Sequence, residues 1–239
     1  MQEKTMQLQK VQDCHYMFIG FAGFDQVLST LKRNLPYYRI SSQGKVSERE
    51  IFYDVQNGLL SDFGITLSKL FVGEKVCFNV TRASRNKNIP VKRFILDSCQ
   101  PNDKPSDFAQ QISSAIENSF MTSPFTVDLV GFIRKSYPII EVNNNYERYE
   151  IICGTGYRAS MLYETTTYKD ANSKNKITRT GITFKFPIGE HKETEEIKNL
   201  IERKIKGVYP YNETRFNIGY KMLFSEPQEI VDETPTDEE

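Results

Sequence analysis

The charged side chains that could act on a ligand are few and spread along the chain. Glu50 and Asp54 flank one strand-like run, E-I-F-Y-D. Arg93 and Asp97 stand four apart in R-F-I-L-D, on one face of another run, with Ile95 between them. Arg134 adjoins Lys135, and Arg158, Glu164 and Arg215 complete the set. Carboxylates are hard oxygen ligands for Mg²⁺ or Mn²⁺, and cations hold phosphate oxygens, so a face that gathers both could assist phosphoryl transfer. The same residues can equally make ion pairs along a solvated strand face. Lys69 alternates with Ser68, and Arg82 with Thr81, so each turns away from its neighbour's face.

Other chemistries find little support. The four cysteines (Cys14, Cys77, Cys99, Cys153) are far apart with no C-x-x-C, and His15 and His191 are the two histidines, which argues against a structural zinc site and a Ser/His/Asp arrangement. Gly154-x-Gly156 lacks the third glycine and the helix of a phosphate loop and reads as a hairpin turn. The basic run Ser84 to Arg93 could touch a nucleic-acid backbone, though an exposed hairpin loop accounts for it as well.

These residues must be positioned by elements that hydrophobic periodicity marks out. Tyr16 to Phe21 is an apolar run read as a buried strand, and Phe24, Val27, Leu28 and Leu31 recur at helical spacing before Pro36. Tyr37 to Ile40, Glu50 to Val55 and Val91 to Asp97 are strand-like, with turns at Asn57-Gly58 and Gly64 and a hairpin at Gly73-Glu74. Ser106 caps a helix that runs to Phe120, with Phe108, Ile112 and Ile116 on one face. Strands follow at 126–134, 137–143, 147–153, 157–168 and 177–187, then a helix at 194–206 stopped by Gly207, and a last strand at 214–224. Many strands with interspersed helices predict an α+β fold with a closed or nearly closed antiparallel sheet.

Composition sets the frame. The chain of 239 residues can bury a sizeable core. Lys plus Arg and Asp plus Glu each number 31, yet residues 225–239 carry seven acids and no base, leaving 31 bases against 24 acids elsewhere. That segment is expected to be an acidic disordered tail; an alternative role is a pseudo-substrate strand over a basic groove. Residues 1–14 are expected to be a flexible N-terminus and 15–224 a single domain. No long apolar run appears, so an intracellular, soluble protein without a membrane partner is expected.

The run R-E-I-F-Y-D-V-Q-N-G-L-L-S-D-F-G (Arg49 to Gly64), with the ending N-E-T-R-F-N-I-G-Y (Asn212 to Tyr220), resembles the triphosphate-tunnel proteins of the CYTH superfamily. Phe52, Tyr53 and Asp54 match that family's Y-Y-D. Leu67 to Leu70 stands at its L-R-x-R, and Phe78 to Arg82 at its lysine-bearing strand. Arg93 to Asp97 stands at R-x-E-x-E, Glu164 with Tyr168 at D-x-x-x-Y, and Thr214-Arg215-Phe216 at S-K-Y. The resemblance implies an eight-stranded antiparallel tunnel-like barrel with outer helices. Inward Lys and Arg would hold a triphosphate, and inward acids a divalent metal.

The signature residues are sparse. The resemblance puts Tyr16, Phe18 and Gly20 at the inward positions of the opening strand, and Thr183 and Lys185 where the family has a Glu pair. The leading reading is therefore a degenerate tunnel protein that serves as a binding or interaction module for a phosphorylated ligand or a protein. Weak polyphosphate or nucleotide binding would rest on Arg93, Arg134, Arg158 and Arg215. The alternative is an active triphosphatase on inorganic triphosphate, a nucleotide or an RNA 5′ end. It would use Glu50 and Glu164 in catalysis and Glu50, Asp97 and Glu164 as ligands to Mg or Mn. A third reading is a basic, nucleic-acid-contacting subunit of a larger assembly.

Overall fold

A computed structural model describes residues 11–18, 23–55, 58–62, 64–82, 92–97, 99–120, 128–211 and 213–224. Among the described residues nine strands make one antiparallel sheet: β1 (Val11–Phe18), β2 (Tyr38–Asp54), β3 (Ile65–Val72), β4 (Lys75–Arg82), β5 (Lys92–Leu96), β6 (Tyr137–Cys153), β7 (Arg158–Asp170), β8 (Lys176–Pro187) and β9 (Val208–Tyr211). The helices are α1 (Phe24–Asn34), α2 (Leu59–Asp62), α3 (Ala109–Phe120), α4 (Leu129–Lys135), α5 (Lys192–Lys204) and α6 (Arg215–Phe224), with a 3₁₀ turn, Pro105–Phe108, leading into α3.

The strand order is β5-β4-β3-β2-β6-β7-β8-β1-β9. The antiparallel α+β class is as expected, but the eight-stranded barrel is not. There is a ninth strand, and among the described residues no pairing joins β5 to β9, so the ring is not closed by hydrogen bonds.

Alternation along the strands sorts side chains onto two faces. One face carries both large cores. Over β1, β7 and β8, Tyr16, Met161, Ile182, Phe184 and Phe186 pack under α1 (Val27, Leu31) and α5 (Ile197, Leu200, Ile201). Over β3 and β4, Leu67, Phe78 and Val80 pack under α3 (Ile112, Ile116) and α4 (Leu129, Ile133). Both outer helices of the first core obey the helix dipole. Acids lie in the first turns (Asp25; Glu193, Glu195) and bases in the last (Lys32, Arg33; Arg203, Lys204). The β3–β4 hairpin turns on Gly73, whose φ of +57° suits glycine. The opposite face carries a smaller apolar cluster: Phe52, Ile140, Val142 and Tyr168 beneath Phe216 and Ile218 of α6.

Several expected elements change type or merge. The segment expected as a strand at 214–224 is helix α6. The one expected at 126–134 contains helix α4, capped by Asp128, whose Oδ1 accepts from Gly131 N at 2.8 Å. The pairs 37–40 with 50–55, and 137–143 with 147–153, are the single 17-residue strands β2 and β6. Strand β9 was not expected. The expected acidic tail at 225–239 and the basic run at 84–91 lie outside the described residues. Among the described residues no helix is long and apolar enough to cross a membrane.

Candidate functional site

On the sheet face opposite the two large cores, two strands and one helix bring charges together. Glu48 and Glu50 stand two apart on β2 and therefore share a face. Glu164 projects from β7, two strands away. Arg215, the first residue of α6, reaches all three. Its Nη1 lies 3.2 Å from Glu50 Oε2 and 3.5 Å from Glu48 Oε2, and its Nη2 lies 3.4 Å from Glu164 Oε2. The Arg215 side chain is 27% exposed and that of Glu164 only 9%.

Neutral donors complete the cage. Ser68 Oγ on β3 donates to Glu50 Oε1 at 2.6 Å, and Tyr146 OH on β6 donates to Glu48 Oε1 at 2.7 Å. Asn144 Nδ2 donates to Glu164 Oε2 at 2.8 Å, while Asn144 Oδ1 accepts from Thr166 Oγ1 at 2.9 Å. Five of the six carboxylate oxygens thus have partners. The sixth, Glu164 Oε1, is buried with no hydrogen-bond partner among the described residues. It borders a narrow recess lined also by Thr166, Arg179, Gly181, Thr183 and Arg215.

The electrostatics favour a fixed, charged Arg215. Burial opposes its charge, but Glu50, Glu164 and Glu48 outweigh burial and raise its pKa above the ordinary value. Burial, with the adjoining Glu48 carboxylate, also raises the Tyr146 phenol, so it remains a donor.

The other sequence candidates lie elsewhere. Arg158 opens β7, six residues before Glu164 and so about 20 Å along the strand. Its side chain is 72% exposed, and it pairs with Glu150 at 3.5 Å. Arg134 is exposed on α4, over the β3–β4 core on the other face of the sheet. Asp97 is exposed just past β5, and the Arg93 backbone pairs with Thr81 while its side chain lies outside the described residues. Asp54 has a structural task. Its carboxylate, 2% exposed, accepts from Val55 N, Leu60 N and Ser61 N at 2.7, 2.9 and 3.2 Å and so fixes the start of α2.

The expected inward register of β1 is corrected by one residue. Tyr16 is 2% exposed, packs edge-on to Phe184 and donates to Glu202 of α5 at 3.2 Å, so it faces the helices. The alternate positions, His15 and Met17, stand opposite Thr183 and Gly181, the residues that line the recess. Thr183 is therefore on the site face as expected. Lys69 turns from Ser68 as expected, but inward: its Nζ donates to the carbonyls of Pro101 and Asp103 at 2.8 and 2.6 Å.

Glu48, Ser68, Asn144 and Tyr146 were not singled out from the sequence. The signal for Glu48 is present: Glu48-x-Glu50 is an alternating Glu pair like the one the resemblance implies at Thr183 and Lys185, carried instead on β2.

In this arrangement the guanidinium joins the carboxylates: Glu48 and Glu50 converge on one atom, Arg215 Nη1, and Glu164 on the neighbouring Nη2. Among the described residues no group of three or more His, Cys, Asp or Glu is placed to hold a metal.

No family model matches the chain, and no curated protein matches its sequence. Its structure is similar to that of a putative adenylyl cyclase from Hippeastrum with a dominant triphosphatase activity. The TM-score is 0.54 at 12% identity, covering 90% of this chain and 96% of the other. A putative adenylate cyclase from Bacillus halodurans aligns with a TM-score of 0.46 at 12% identity, covering 91% and 99%. The first likeness shows the fold: this chain folds as that putative adenylyl cyclase does.

Proposed function

We propose that this protein uses a CYTH-like fold as a binding module and does not hydrolyse triphosphates. One observation carries the reading: the Arg215 guanidinium already lies among Glu48, Glu50 and Glu164. A triphosphate site needs a surplus of cations in a low-dielectric cavity. Here three carboxylates meet one guanidinium, with Arg179 at the edge of the recess, so among the described residues the cluster holds no positive surplus for a polyanion. Arg134 and Arg158 are exposed and remote from the cluster, which argues for a partner-binding scaffold over a polyphosphate receptor.

The test is phosphate release from triphosphate and ATP with Mg²⁺ or Mn²⁺, together with calorimetry of triphosphate at low salt. Background release and no binding heat are expected. Metal-dependent turnover that disappears in Glu50→Ala or Glu164→Ala would instead establish the hydrolase. That second reading draws on the alternating pair Glu48 and Glu50, which with Glu164 supplies three acids on one face.

A further inference from the structure

The cage of Glu48, Glu50 and Glu164 is shaped for a planar, forked cation. Its acceptors are spread over β2 and β7, and two different nitrogens of Arg215 engage them, Nη1 towards β2 and Nη2 towards β7. An ammonium is a compact point charge and a metal ion needs a single focus; a guanidinium presents fixed donors on diverging edges. The cage is also incompletely filled. Glu164 Oε1 is buried, its side chain is 9% exposed, and it borders the recess without a hydrogen-bond partner among the described residues. A guanidinium has five N–H donors, and Arg215 uses two nitrogens here.

Helix α6 is held along one apolar edge: Phe216, Ile218 and Gly219 are buried and Met222 and Leu223 pack half-buried against the same cluster, while Asn217, Tyr220, Lys221 and Phe224 face outward. The Arg215 side chain keeps a solvent-exposed edge. A cation supplied from solution can therefore compete for the same acceptors if α6 lifts, and the shift depends only on the difference in affinity between the two states.

We infer that this face is a guanidinium receptor, occupied in cis by Arg215, which an arginine-type group of a ligand displaces together with α6. The inference rests on the reading of the protein as a binding module and names the chemistry of what it binds. Its readout is independent of phosphate release, so either claim can fail alone.

The test uses agmatine, which carries a guanidinium on a short chain, against the Arg215→Ala variant. A saturable rise in Tm is expected with agmatine. No comparable rise is expected with butylamine, Na⁺ or Mn²⁺ at the same concentration, and the agmatine effect should vanish when Glu50→Gln or Glu164→Gln is added. A larger rise with Mn²⁺ than with agmatine would make the cage a metal site, and no rise with any cation would remove the receptor altogether; either result overturns the inference. Should Arg215→Ala not fold, the wild-type protein decides. Agmatine should speed hydrogen exchange of the 215–224 amides at least severalfold while leaving β6 and β7 unchanged. Unchanged exchange at saturating agmatine would refute displacement.

Discussion

Gly219 packs tightly against the ring of Tyr168: a methyl group built on its Cα would come within 2.6 Å of the Tyr168 Cδ1. This approach lets α6 lie close enough to the sheet for Arg215, one turn earlier, to enter the carboxylates. Gly219→Ala should lift α6 and cost about 1–3 kcal/mol, the usual range for overpacking. Urea unfolding gives the cost, and hydrogen exchange at 215–224 gives the location. Gly154→Ala is the control, because nothing lies within 4 Å of its added methyl, and it should be close to neutral.

Removing the guanidinium leaves three carboxylates facing one another, one of them nine-tenths buried. Arg215→Ala should destabilise by about 3–5 kcal/mol, as breaking a buried ion pair does. Arg215→Lys should recover only part of that loss, because an ammonium cannot span β2 and β7. Equilibrium denaturation of both variants checks the ranking.

Asp54 is a cap, so its effect should be on stability and not on ligand binding. Asp54→Ala removes the acceptor of three backbone N–H groups and should cost about 1–2 kcal/mol or more, given its burial. Agmatine binding by the Arg215→Ala background should not change when Asp54→Ala is combined with it. A lost affinity at unchanged folding would give Asp54 a place in the site.

Glu141 offers a pH probe outside the cage. The hydrogen bond from Arg49, at 3.0–3.1 Å, holds its carboxyl below the ordinary range despite partial burial. A lowered folded pKa contributes stability that is present above the unfolded value of about 4.3 and is lost as pH falls through the folded pKa. Arg49 is 48% exposed, so the contribution is screened and should be no more than about 1 kcal/mol. Glu141→Gln should therefore lower stability slightly at pH 7 and match the wild type near pH 2. A difference that grows towards low pH would contradict the assignment.

The sequence made the amphipathic helices plain and hid the site-forming one. In α1 and α5 the buried residues recur at three and four, so periodicity alone identifies them. In α6, Phe216, Ile218 and Tyr220 alternate like a strand, and Gly219 is a poor helix former. Helicity there follows from docking on Tyr168, a tertiary cause that local pattern does not contain. Likewise β2 and β6 looked broken because their middles, S-S-Q-G-K-V-S-E and N-N-N-Y-E-R, lack apolar alternation where the sheet passes between its two helix-covered cores. Glu50, Glu164 and Arg215 were each legible as candidates. Their meeting was not, because β6 lies between the strands that carry the two acids.

The long β2–β6 pairing bears on how the chain reaches its native state. It zips together residues such as Ser42 and Glu147, 105 positions apart in the chain, and the two strands form the seam between the halves of the sheet. Each half can gather its own hairpins early, but the seam must wait for a loop of that size to close, and that entropy is spent before the new contacts repay it. Refolding should therefore be slow for a chain of this length, with the hairpin amides of β3–β4, β6–β7 and β7–β8 gaining protection ahead of the amides that join β2 to β6. The carboxylates of β2 and β7 meet only after that last step, so Arg215 should be among the final groups to find its place.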